Sequence, residues 1–205
     1  MIEERACVGN ICCLSVHNGL NLGLDPIVLL HGYTFNSGVW KDIGLLQKLE
    51  SEGIPFLAID MPYGTKSECS RRTSDALMNL TFLEEALDKY LKKGSRPLLV
   101  GASMGGYFAM LYAGEREVSG LILIGPVGTE EERVKSKIGS IRSPVLIIVG
   151  DKDTIIDLDA IKSFSSALPD ARLVVYESSG HPAYLYQKER FASDVSSFYK
   201  QVTGK

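Results

Sequence analysis

Short apolar runs recur along this chain, each followed by a segment long enough for a helix. Residues 26–30, 54–59, 98–100, 121–124, 145–149 and 172–176 have strand length, and most are continuous rather than alternating. Continuous apolar runs mark strands covered on both faces. Between them, residues 39–52 read as helical, and residues 74–93 carry Leu77, Leu80, Leu83, Leu87 and Leu91 at helical spacing. Residues 104–112 predict a helix that stops at Gly114, and residues 159–168 and 183–201 predict two more. This alternation predicts an α/β fold: a single doubly wound, mostly parallel sheet flanked by helices. Residues 6–17 are too short for a crossover and predict an antiparallel edge strand or hairpin. No repeat or linker interrupts the pattern, so residues 1–205 read as one domain.

The third parallel run, 98–100, leads into Gly101-Ala102-Ser103-Met104-Gly105 and then into a helical segment. Strand, sharp turn and helix with serine at the apex is the layout of a nucleophile elbow, G-x-S-x-G. Such a turn strains the serine backbone and crowds the residues two before and two after it, which glycine tolerates. In open α/β sheets, sites form at the carboxyl ends of the strands. The other strand ends carry His31-Gly32-Tyr33-Thr34, Gly150-Asp151-Lys152-Asp153 and Glu177-Ser178-Ser179-Gly180-His181. A nucleophile, a carboxylate and an imidazole are therefore all expected on one edge of the sheet.

The order Ser103, Asp153, His181 is the one seen in α/β hydrolases. Together with His31-Gly32, Trp40, the stretch Ala58-Ile59-Asp60-Met61-Pro62-Tyr63-Gly64, Gly106 and Ser179-Gly180-His181-Pro182, it gives a chain that resembles the α/β-hydrolase superfamily from about residue 26 to the C-terminal helix. The resemblance implies a minimal α/β-hydrolase fold and a serine hydrolase of the carboxylesterase type. On that reading Ser103 is the nucleophile, His181 the base and then the acid, and Asp153 the orienting carboxylate, with Asp151 the alternative. The backbone amides of Met104 and Tyr33 form the oxyanion hole. His31 is expected to support the oxyanion loop, His17 to lie on the surface, and Trp40 and Phe35 to be packing residues. Asp60 is expected to shape its loop, and Asp157 and Asp159 to cap a helix. Tyr63 stands where many relatives have glycine, which would narrow the pocket.

Many relatives carry a helical cap domain, but residues 125–144 leave room for one short helix at most. An open site with little apolar wall is expected, suited to small or short-acyl esters. Thioesterase or amidase chemistry shares the same acyl-enzyme, and a non-catalytic binding protein on the same fold is the alternative of a different class. The chemistry calls for no cofactor or metal.

The net charge of −3, with 22 basic and 25 acidic residues, comes without a basic stripe, which argues against a nucleic-acid partner. No apolar run approaches the ~18 residues of a membrane span. The acidic start Met1-Ile2-Glu3-Glu4-Arg5 lacks signal-peptide character, which predicts a cytoplasmic protein. Cys7, Cys12, Cys13 and Cys69 show no metal-ligand spacing. Vicinal Cys12 and Cys13 cannot readily bridge to each other, and among apolar neighbours they read as buried thiols.

Overall fold

The computed structural model describes residues 1–204. At the N-terminus, β1 (Ile2–Val8) and β2 (Ile11–Asn18) form an antiparallel hairpin over the two-residue turn Gly9-Asn10. The remaining strands are β3 (Ile27–Leu30), β4 (Phe56–Ile59), β5 (Leu98–Ala102), β6 (Gly120–Ile124), β7 (Val145–Gly150) and β8 (Ala171–Tyr176). All eight belong to one sheet in the order β1-β2-β4-β3-β5-β6-β7-β8. β2 joins β4 antiparallel, and every pairing from β4 across to β8 is parallel.

Strand side chains alternate between two faces, and each face has its own core. Val28, Leu30, Leu57, Ile59, Leu99, Leu123 and Ile147 point to one. There they meet α3 (Ala76–Tyr90), α4 (Met104–Ala113) and α6 (Leu158–Ala167) through Phe82, Leu83, Phe108, Ile161 and Phe164. Ile27, Leu29, Phe56, Ala58, Val100, Ile122 and Ile148 point to the other. Trp40 of α1 (Gly38–Asp42), Leu46 of α2 (Leu45–Ser51), and Phe191 and Val195 of α8 (Lys188–Thr203) cover it. Because both faces are buried there, the central strands β3 to β7 read as unbroken apolar runs.

Two predicted helices are each divided. Gly44 takes φ +78° and ends α1, so residues 39–52 become two short helices. Gln187, at φ −128° and ψ +62°, separates α7 (Ala183–Tyr186) from α8, so residues 183–201 do not form one rod. Both helices pack on the same face of the sheet, α7 against β7 and α8 against β6. Only α5 (Glu132–Ile138) lies between β6 and β7. No helix among the described residues is long and apolar enough to cross a membrane.

The cysteines are not the buried thiols that composition suggests. The hairpin register sets Cys7 opposite Cys12, and the two form a disulfide. Cys13 points to the other face, where it bonds Cys69 from the loop after β4. Alternation along β2 thus sends vicinal Cys12 and Cys13 to different partners. The mirror-symmetric spacing of Cys7 and Cys12 about Gly9-Asn10 was a signal for the first pairing; the second needed the loop's path.

Phe191 is fully buried, with its ring 6.1 Å from that of Trp40 and 5.7 Å from that of Tyr184. Phe191→Ala should lower stability by about 3–5 kcal/mol, the range for a core aromatic truncated to alanine. Denaturant unfolding followed by Trp40 fluorescence checks this.

Candidate active site

The sharpest local constraint is at Ser103, between β5 and α4, where the backbone adopts φ +52° and ψ −112°. A Cβ on Gly101 would lie 2.5 Å from the Gly105 carbonyl oxygen, and one on Gly105 would collide with the Leu30 carbonyl. Both glycines are therefore required by close backbone approach: α4 starts directly against the ends of β5 and β3. The Ser103 N–H is anchored to the Ile124 carbonyl at 2.8 Å. The side chain is left at the sheet edge beside the helix N-terminus.

Asp153 follows β7, and His181 lies in the loop between β8 and α7. The structure brings them to Ser103. His181 Nε2 is 2.9 Å from Ser103 Oγ, and Nδ1 is 2.8 Å from Asp153 Oδ2. The other Asp153 oxygen accepts the Ile155 and Ile156 amides at 2.8 and 3.0 Å. With both Asp153 oxygens placed as acceptors, Nδ1–H faces Asp153, and Nε2 faces the serine hydroxyl. The Asp153 side chain is 4% exposed and that of His181 15%, so the pair is shielded while one imidazole edge reaches the cavity.

The two candidate carboxylates divide cleanly. Asp151 does not touch the imidazole; its Oδ1 accepts the Ser179 amide at 3.0 Å and so fixes the loop that carries His181. Hydrogen bonds from the Ser178 and Ser179 backbone hold the Asp151 carboxyl below the usual carboxylate range.

Tyr33 lies in the loop after β3, and Met104 opens α4. An N–H in the first turn of a helix has no intrahelical carbonyl. Among the described residues the Tyr33 amide enters no loop or turn hydrogen bond. The loop packs against the serine: a Cβ on Gly32 would stand 3.6 Å from Ser103 Cβ.

His31 underpins this loop. Fully buried, it places Nδ1 2.8 Å from the Gly32 carbonyl and accepts the Met61 amide on Nε2 at 2.9 Å. The acceptor role at Nε2 puts the proton on Nδ1. Burial pushes its pKa below the ordinary imidazole value, so the ring stays neutral. Asp60, also fully buried, accepts Ser37 and Glu68 amides at 2.6 Å each and shapes its loop as expected.

Tyr63 does not narrow the pocket. It is buried against Phe108, ring centroids 5.1 Å apart, and donates to the His31 carbonyl at 2.5 Å. His17 is half-buried rather than on the surface, paired with Glu4 at 3.1 Å and packed on Tyr90. Asp157 caps α6 through the Asp159 and Ala160 amides.

A cavity of ≈ 180 Å³ opens over Ser103 and His181. Phe35, Ala102, Ile124, Ile155, Pro182 and Tyr184 form its walls. This corrects the expectation of little apolar wall: strand ends and α7 supply one without a cap. Of the two aromatics read as packing, Trp40 is fully buried, whereas Phe35 faces the cavity. Tyr184 was missed because the helical reading of residues 183–201 did not foresee the bend at Gln187 that brings α7 to the site.

Residues 27–138 match the model of the "Alpha/beta hydrolase family", and residues 127–187 match that of the "alpha/beta hydrolase fold". The chain belongs to the alpha/beta hydrolase family. Among curated relatives of this hydrolase, "Protein ABHD14A" of Homo sapiens is 29% identical over 92% of the chain and 75% of its own length. "Putative protein-lysine deacylase ABHD14B" of Rattus norvegicus is 29% identical over 86% of the chain and 83% of its own. Among solved structures, a "predicted CIB-like hydrolase" from Thermoplasma acidophilum superimposes with a TM-score of 0.83 at 26% identity, covering 98% of both chains. Est1E from Butyrivibrio proteoclasticus with ferulic acid bound shares the fold, with a TM-score of 0.81 at 20% identity over 98% of this chain and 100% of its own. Within the family this hydrolase is a minimal, cap-less member.

The buried His31, its pKa lowered by burial, should make the fold acid-sensitive. Its folded pKa lies below its unfolded value of ~6.5, so the unfolded state binds the extra proton. The stabilisation is present above that value and is lost as pH falls below it toward the folded pKa. His31→Gln should therefore flatten the fall of Tm between pH 7 and 5. An unchanged pH slope would mean that His31 is not held neutral.

Proposed function

We propose that this alpha/beta hydrolase is a serine hydrolase that cleaves small or short-acyl carboxylic esters through an acyl-enzyme. The observation that carries the reading is the continuous line Ser103 Oγ, His181, Asp153, at 2.9 and 2.8 Å, under a small apolar cavity. Ser103 Oγ attacks the ester carbonyl while His181 Nε2 takes its proton. Asp153 holds the tautomer and stabilises the imidazolium. The Tyr33 and Met104 amides receive the oxyanion, aided by the positive end of α4. His181 then protonates the departing alcohol. Water, activated by the same imidazole, releases the acid and restores Ser103.

The ≈ 180 Å³ volume favours a short acyl group, with a small-molecule ester as substrate. A second reading, an amide substrate in which the acyl group sits on a lysine side chain, draws on the name of the ABHD14B relative. It also draws on the rim of the cavity, where Tyr33 is 51% and Ile155 65% exposed. Those side chains offer a surface that a peptide segment would cover.

Hydrolysis of p-nitrophenyl esters across acyl lengths, beside an acetyl-lysine peptide, separates the readings. The first predicts the highest kcat/KM for acetate or butyrate. Faster turnover of the peptide would transfer the assignment to amides, and a preference for long chains would contradict the small cavity. Ser103→Ala should lower kcat by on the order of 10³-fold or more, with unfolding unchanged. Asp153→Asn should cost about 10³–10⁴-fold. Asp151→Asn, which disturbs only the loop, should stay within about 10²-fold.

A further inference from the structure

The chemistry at Ser103 uses neither disulfide, and of the four cysteines Cys13 lies in the core with Cys69 packed against it; their bond is also tied to the loop after β3 through a short chain of contacts. Cys7, Cys12 and Cys69 line an open depression together with Arg5, Glu68 and Ser70. Cys13 is fully buried, whereas Cys69 is half-buried and reachable.

Residues 65–70 form a strap with no regular secondary structure beyond an isolated bridge, and Thr65, Lys66, Glu68 and Ser70 are exposed. With so little apolar burial, such a segment has low local stability of its own. One side is stitched to β2: the Leu14 amide donates to the Glu68 carbonyl at 3.1 Å and the Ser70 amide to the Cys12 carbonyl at 2.8 Å. Cys13–Cys69 is the covalent stitch on that side. The other side holds residues 31–37. The Thr65 amide donates to the Tyr33 carbonyl at 2.8 Å, and the Glu68 amide reaches Asp60, which also accepts the Ser37 amide. Ser67 Oγ donates to the Met61 carbonyl at 2.7 Å and lies 3.1 Å from His31 Nε2. The strap thus joins the disulfide to Tyr33 through the Tyr33 carbonyl.

We propose that Cys13–Cys69 is a thiol-exchange site, through which reduction by a dithiol loosens the strap and lowers turnover at Ser103. A thiolate of the dithiol attacks Cys69 Sγ and breaks the Cys13–Cys69 bond. Cys13 leaves as a thiolate and takes a proton from solvent, and Cys69 is held in a mixed disulfide. The second thiolate of the reagent attacks its own sulfur in that bond and releases Cys69 as a thiolate, which is protonated in turn. The reagent ends as a disulfide, and the protein has gained two electrons and two protons. The Cys7–Cys12 bridge opens by the same chemistry but spans strands already held by a seven-pair ladder, so its loss leaves the site intact.

The proposal rests on Ser103 and the Tyr33 amide acting as described, and the test separates the two claims. Air-purified protein and protein reduced with dithiothreitol, both desalted anaerobically, are compared for free thiols, p-nitrophenyl acetate hydrolysis and hydrogen exchange. Reduction should release all four thiols and lower kcat by on the order of ten- to hundredfold with little change in KM. Reoxidation should restore it. The Cys7→Ser, Cys12→Ser double variant should keep the full response. The Cys13→Ala, Cys69→Ser double variant should be slow and insensitive to dithiothreitol. Amide exchange over residues 32–37 should accelerate on reduction, a readout that holds even if no ester is turned over. Four free thiols in the air-purified protein, or a reduced protein with unchanged kcat and unchanged exchange, would overturn the proposal. So would a response that follows Cys7 and Cys12.

Discussion

At Ser103 the chain turns through a left-handed backbone conformation, and the rest of the site is arranged around that turn. The conformation persists because α4 is pressed against the ends of β5 and β3, where Gly101 and Gly105 have no Cβ to collide with the neighbouring carbonyls. Strain of this kind is held only where the surroundings over-determine it. Here they consist of a parallel sheet buried on both faces. The sheet also sets where the partners arrive: β7 ends before Asp153, β8 before His181, and β3 before Tyr33. A hydroxyl, an imidazole, a carboxylate and a free amide from four strand ends thus meet without any one of them being adjacent in sequence.

The support behind the loop after β3 is polar where a core would ordinarily be apolar. His31, Asp60 and Ser37 are all fully buried. Such groups are costly unless partnered. His31 and Asp60 are partnered by backbone amides: Met61 on the imidazole, Ser37 and Glu68 on the carboxylate. These bonds fix the loop's path to a geometry that apolar packing alone would leave looser. They also link it to the strap that Cys69 anchors.

Much of this was legible in the sequence because the signals were local. Continuous apolar runs gave the parallel sheet, and glycines two residues either side of Ser103 gave the elbow. Polar loops after the runs gave His181 and the two candidate carboxylates. What was not legible depended on chain paths. The preference for Asp153 over Asp151 came from the family resemblance; no local pattern says which carboxylate reaches the imidazole and which the Ser179 amide. Tyr63 reads as a pocket residue in sequence, yet the loop turns it inward onto Phe108. Tyr184 joins the cavity wall only because Gln187 bends the last helix. The pairing of Cys13 with Cys69 joins positions 56 residues apart, a separation no local pattern encodes.

The central claim, that Ser103 is an activated nucleophile, is tested most directly by reacting the folded protein with a fluorophosphonate and mapping the adduct by peptide mass spectrometry. The account predicts one adduct per chain, on the peptide containing Ser103, and none after prior unfolding. A folded protein that takes up no label, or carries it on another serine, would contradict it.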